Sequence, residues 1–258
     1  MAEKDGVQSV SRALSLLRLL ADTEGGMRLS DLARAAGLPV STAHRLLTTL
    51  EQQGFAQFEP ASTAWHVGRD AFSIGMAYGR RRSFVAPALP MLRRLRDATR
   101  ETSNLGILDD DHLVTVSQVE SREIRRALSP PGQRVPVFSS AMGKAILSSW
   151  GDSDVLALAE LAGLPPLTTK SLRTPEAALD EIRRTRARGW ALDNEEFNIG
   201  MRCIAGVVWS PQGEPACAIS ISGAAGRLTD ERLPALGARV ATAAAELTDQ
   251  LGGVRPTA

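Results

Sequence analysis

Two cysteines, Cys203 and Cys217, are too few for a disulfide framework, and their scarcity fits a reducing cytosol. Three histidines leave little for a zinc site or a Cys–His nucleophile pair: His44 and His66 lie within residues 1–67, and His112 sits in an acidic hairpin turn. No metal or cofactor is expected. No apolar run approaches the ~20 residues that a membrane span needs, and MAEKDGVQSV lacks the apolar core of a signal peptide. A cytoplasmic protein with no membrane partner is the expectation. A large excess of positive charge is missing too. The 258 residues carry a net charge of +1, so the chain as a whole is no polycation. Residues 1–67 are net −1, residues 68–100 net +6 and residues 101–258 net −4. What is plentiful is apolar side chain, 43% of the sequence, enough for a core.

Within Leu29 to Gly54, LSDLARAAGLPVSTAHRLLTTLEQQG reads as two short helices and a tight turn. Leu29, Leu32, Ala33 and Ala36 fall on one stripe, with Ser30 as the expected N-cap. Gly37 stops the helix and Pro39 blocks its continuation. The second helix buries Ala43, Leu46, Leu47 and Leu50 by the same spacing. Ser41, Thr42, Arg45, Thr49 and Gln52 face the other way, flanked by His44 and Thr48. Short hydroxyls around one arginine can approach a phosphate backbone and reach base edges. This is the pattern of a helix-turn-helix whose second helix enters the major groove of double-stranded DNA. Because the segment is not basic, its affinity must come from a few placed groups, from helix N-termini and from a second copy.

Ser9 to Ala21 is a strongly apolar helix, with Val10, Ala13, Leu14, Leu17 and Leu20 as the expected core stripe and Leu16 and Leu19 off it. Either it is deeply buried in a three-helix domain, or part of it is a dimer contact. After Gly54, two short strands around Glu59-Pro60-Ala61-Ser62 make a β-hairpin wing. Gly68 to Arg82 reads as a linker helix with Phe72, Ile74, Met76 and Tyr78 apolar and three arginines at its end. The domains expected are therefore 1–67, a linker at 68–82, and 83–258. In the last, Pro87 and Pro90 punctuate entry to a helix at Met91–Thr99. Strand pairs then mix with helices, giving an α+β class.

Strand parity places Ala216, Ala218, Ser220 and Ser222 on one face, and Cys217, Ile219 and Ile221 on the other. The small, hydroxyl-bearing face suits either a polar ligand or a closely packed helix. Ser140 can cap a helix whose first free N–H groups belong to Ala141 and Met142, an end that attracts carboxylates. Asp193 ends a strand, as a solvated turn acid or as a group facing a ligand. Beside an anionic ligand it must accept a hydrogen from it or be protonated itself. Cys203 begins a later strand in mixed surroundings.

The chain resembles the IclR family of bacterial transcriptional regulators from Val7 to Leu251. The resemblance is carried by SVSRALSLLRLL, LSDLARAAGLPVSTAHRLLTTLEQQGF, SSAMGKA, GWALDNEE, CIAGVVW and ACAISISG. It implies an N-terminal winged helix-turn-helix, a linker helix and a C-terminal GAF-like α/β effector domain, in dimers that often pair into tetramers. In glyoxylate-sensing members, the positions matching Ala141, Met142, Asp193, Cys203, Ser220 and Ser222 hold the ligand. Met142 departs from them, being larger, and Ile199 and Met201 would add an apolar wall. The resemblance implies a small carboxylate effector, glyoxylate first and pyruvate second. DNA contacts are expected from Ser41, Thr42, His44, Arg45, Thr48 and Thr49. Three rivals predict other behaviour: a regulator of aromatic acids, a thiol redox sensor using Cys203, and an architectural DNA-binding protein without a ligand.

Overall fold

The computed structural model describes residues 7–23, 25–81, 84–121 and 130–256, and side chains within this set except at 76–81. The expectations for Met76, Tyr78 and the three arginines lie outside the described side chains. The chain divides into two compact units, Met1–Arg81 and Arg82–Ala258. No helix among the described residues is long and apolar enough to cross a membrane.

The first unit contains α1 (Gln8–Ala21), α2 (Leu29–Ala35), α3 (Val40–Gln52), the strands β1 (Ala56–Glu59) and β2 (Ala64–Val67), and α4 (Arg69–Arg81). Gly37 ends α2 at φ +62°, a left-handed conformation that glycine adopts without a side-chain clash. Its N–H bonds Arg34 O, and the N–H of Leu38 reaches back to Ala33 O at 2.8 Å, so the exposed carbonyls of the helix end are satisfied. Pro39 then precedes the first turn of α3. Ser30 is not the cap: it lies inside α2, and the N-cap position is Arg28, which makes no side-chain cap bond. The β1–β2 hairpin pairs Phe58 with Trp65, rings 5.3 Å apart, and the Trp65 backbone also bridges to Met27.

Leu16, Leu20, Leu32, Ala33, Ala43, Leu47, Ala56 and Trp65 form the core of this unit. That corrects the expected stripe of α1. Leu16 is fully buried, whereas Val10 is 55% and Leu14 47% exposed. A helix with leucine on several sides carries more than one stripe of helical period, and the hairpin and α3 decide which is covered. The other stripe, with Leu46, Leu50 and Phe55, lines an open apolar groove.

The second unit runs α5 (Val85–Thr99), β3 (Thr102–Asp109), β4 (His112–Val119), β5 (Arg134–Pro136), a 3-10 turn at Val137–Ser139, α6 (Ala141–Leu147), α7 (Asp152–Ala162), α8 (Pro175–Arg188), β6 (Ala191–Asn194), β7 (Met201–Trp209), β8 (Pro215–Ala224) and α9 (Leu233–Gln250). The sheet is antiparallel in the order β5-β4-β3-β8-β7-β6. Leu105, Ile107, Cys217, Ile219 and Ile221 face α5 and α9 in one apolar layer. Ala218, Ala205 and Ala191 face α6 on the opposite side. Helix α5 begins six residues earlier than expected, at Val85, with Pro90 inside it. Proline in a helix interior removes a hydrogen bond, but the buried row Ala88, Met91, Leu92 and Leu95 holds the segment on the sheet.

Candidate functional site

Two side-chain constellations stand out, one in each unit. On α3, Ser41, His44, Arg45 and Thr49 are exposed, and Thr42 and Thr48 half-buried. Opposite them Ala43 and Leu47 are fully buried. Thr42, His44, Arg45, Thr48, Thr49 and Gln52 share one open groove. Thr49 Oγ1 donates to Arg45 O at 3.0 Å. The first intrahelical donor is the N–H of Ala43, which bonds Pro39 O. The N–H groups of the turn before it have no acceptor within the helix.

In the second unit, the alternation of the strands brings a polar row to the α6 face. Strand register sets Asp193 opposite Cys203, Cys203 opposite Ser222, and Ser222 opposite Thr102. The next row is Gln118, Asn104, Ser220 and Ala205. Between these rows and α6 lies a cavity of about 40 Å³. That is room for the centres of roughly three water-sized groups. Ala141, Met142, Asp193, Cys203, Ser220 and Ser222 all line it, together with Asn104, Leu113, Phe197 and Met201 among others. Ile199 is not part of the wall: it is 59% exposed, on the loop before β7. Met142 is accommodated because Gly106 lies beneath it; a Cβ there would come within 2.9 Å of Met142 Cε.

Ser140 caps α6 as expected, accepting from the N–H of Gly143 at 3.3 Å, and its carbonyl takes the N–H of Lys144. The N–H groups of Ala141 and Met142 are left without an acceptor in the helix. Asp193 is no solvated turn acid. It lies within β6 rather than at its end and is 4% exposed. Its Oδ1 accepts from the N–H groups of Glu196 at 2.8 Å and Phe197 at 3.4 Å. Burial pushes its pKa up to about 7, against the pull of Lys144 and with the push of Glu196. Cys203 is held as a thiol, its pKa raised well above the ordinary value by burial first and the Asp193 carboxylate next.

Four polar residues of this region were given no role by the sequence. Lys144 is fully buried in α6 and pairs with Glu196. Burial raises the Glu196 pKa while Lys144 lowers it. Asn104 donates from Nδ2 to Ser220 Oγ at 3.1 Å and to Ser222 Oγ at 3.2 Å, and accepts at Oδ1 from Gln118 Nε2 at 2.7 Å. A lysine inside the otherwise apolar AMGKAIL was the available signal for the ion pair. Nothing in the sequence pairs residue 104 with residues 220 and 222. Among the described residues no group of three or more His, Cys, Asp or Glu could hold a metal ion.

Known proteins share this fold. Residues 9–60 match the family model for the IclR helix-turn-helix domain, and residues 76–249 match that for the bacterial transcriptional regulator IclR C-terminal region. The chain belongs to the IclR family. Among its relatives is the acetate operon repressor of Salmonella typhimurium, 40% identical over 251 residues, 96% of this chain and 92% of that one. The HTH-type transcriptional regulator BhcR of Paracoccus denitrificans is 41% identical over 246 residues, 95% of this chain and 88% of that one. A crystal structure of a regulator from Rhodococcus superposes with a TM-score of 0.81 at 27% identity, covering 95% of this chain and 98% of that one. This IclR-family chain is accordingly a DNA-binding transcriptional regulator, not an enzyme.

Proposed function

We propose that this regulator's operator affinity is controlled by a small 2-oxo acid held in the α6 cavity, glyoxylate first and pyruvate second. The observation that carries the reading is the cavity itself. It has volume for a two- or three-carbon acid, and it is lined by Ala141 and Met142 at the start of α6, by Ser220 and Ser222, and by the buried Asp193. Ala141, Met142, Ser220 and Ser222 would hold the acid, with Asp193 and Cys203 opposite them. A hydrated aldehyde would offer Asp193 a hydrogen. An aromatic ring would require the walls at Met142 and Leu113 to retreat.

The DNA contacts assigned on α3 are Arg45 to a base edge, and Ser41, Thr42, His44, Thr48 and Thr49 to the backbone or neighbouring bases. The free N–H groups of the first turn of α3 would meet a phosphate. The protein acts in the cytoplasm as a homodimer that pairs into a tetramer, with 1–67 reading DNA, 68–82 linking and 83–258 sensing. The likeness to the acetate operon repressor supports repression as the sign of control. Binding acid would shift operator affinity by the coupling usual for such systems, about 1–3 kcal/mol, and by linkage DNA would shift acid affinity equally.

Isothermal titration with glyoxylate, pyruvate and 4-hydroxybenzoate tests the reading. Saturable heat with glyoxylate, weaker with pyruvate, is expected. Heat with the aromatic acid alone would overturn the effector assignment, and silence with all three would point to an architectural role.

A further inference from the structure

Deepening the effector reading and resting on it, the network behind the two serines gives the cavity a direction. Asn104 is 4% exposed and sits between Gln118 and Ser220 by strand register. An amide nitrogen carries two hydrogens. Here one goes to Ser220 Oγ and the other to Ser222 Oγ. The amide cannot turn over without exchanging its carbonyl oxygen, which Gln118 Nε2 holds at 2.7 Å, for a nitrogen. A hydroxyl that accepts from behind keeps its own hydrogen to give forward. Both serines line the cavity, so both O–H groups are available to donate into it.

We infer that Asn104, held by Gln118, is a positioning residue that sets Ser220 and Ser222 as hydrogen donors toward the ligand and so selects a carboxylate over the matching amide. A carboxylate only accepts, and two donors suit its two oxygens; a primary amide brings an NH2 group that finds a donor facing it. Cavity volume alone would not make that distinction, because acid and amide have nearly the same shape.

The test is the ratio of affinities for pyruvate and pyruvamide, with glyoxylate alongside, by calorimetry on the full chain at one pH. Wild type is expected to favour the acid. Asn104→Ala should lower the acid-to-amide ratio about tenfold, as expected for loss of an oriented bond to a charged group. Gln118→Leu, which keeps Asn104 and removes only the bond that holds its carbonyl oxygen, should lower it by a smaller factor. A merely structural role would move stability and leave the ratio alone. Wild type that binds acid and amide equally, or both variants keeping the wild-type ratio, would overturn the inference while leaving the effector reading intact. Wild type that binds no acid would bring down the effector reading, and this inference with it.

Discussion

Asp193→Asn should stabilise this protein at neutral pH and flatten its pH dependence. In the folded chain the carboxyl holds its proton to about pH 7, whereas its ordinary pKa is 3.8. Below that ordinary value both states are protonated and the group is neutral in the balance. Between it and about 7, the unfolded chain has released a proton that the folded chain still binds. Stability therefore falls as pH rises through this window, and the loss is complete above it. The full span is worth about 4 kcal/mol, of which about 2–3 kcal/mol lies between pH 5 and pH 8. Glu196, also raised by burial, adds to the slope in the same direction, and the difference between wild type and variant reports Asp193 together with its coupling to Glu196. Urea unfolding of the two proteins across pH 4 to 8, followed by far-UV circular dichroism, measures it. The variant should gain on wild type steadily as pH rises. Parallel pH profiles would refute the claim that burial holds this carboxyl protonated.

Lys144→Met should cost about 3–5 kcal/mol in the same unfolding assay, because it strands the Glu196 carboxylate in a buried site. Adding Glu196→Gln should recover much of that loss; an additive double variant would argue that the pair is not coupled. Arg45→Ala should weaken specific operator binding by about 1–3 kcal/mol in a fluorescence anisotropy titration while changing non-specific binding less, and equal losses on both DNAs would make Arg45 a backbone contact. Iodoacetamide should label Cys203 more slowly than a free thiol at pH 7, since the thiolate is disfavoured. Rapid, selective labelling would instead revive the redox-sensor alternative.

Local signals carried most of the architecture. Gly37, Pro39 and the α2 and α3 stripes sufficed for the helix-turn-helix, and the alternation of β8 sorted Cys217, Ile219 and Ile221 from Ala218, Ser220 and Ser222. Failures came where several local answers were equally good. Leucines on several sides of α1 allow two stripes, and only the packing of α3 and the hairpin selects Leu16 over Val10 and Leu14. Pro90 reads as a boundary until the burial of Met91, Leu92 and Leu95 outweighs the lost hydrogen bond. Ile199, expected in the apolar wall with Met201, is instead exposed on its loop. At the site, the cavity-lining residues were found because parity, the Ser140 cap and the family resemblance point to them separately. Asn104 and Gln118 were missed because β3 lies beside β8 only through a pairing more than a hundred residues apart. No periodicity encodes such a neighbour.

The two faces of β3 also bear on how faithfully this sheet is assembled. Leu105 and Ile107 enter the apolar layer under α5 and α9, while Thr102 and Asn104 turn toward α6. A slip of one residue between β3 and its neighbours would exchange these sets. It would drive the Asn104 amide into the apolar layer without partners, at a cost of about 1–3 kcal/mol by protein mutational measures. The polar residues of the cavity thus act as a proofreading device during strand pairing. Replacing them with apolar residues would remove more than ligand contacts: it would make a misaligned sheet a closer competitor of the native one.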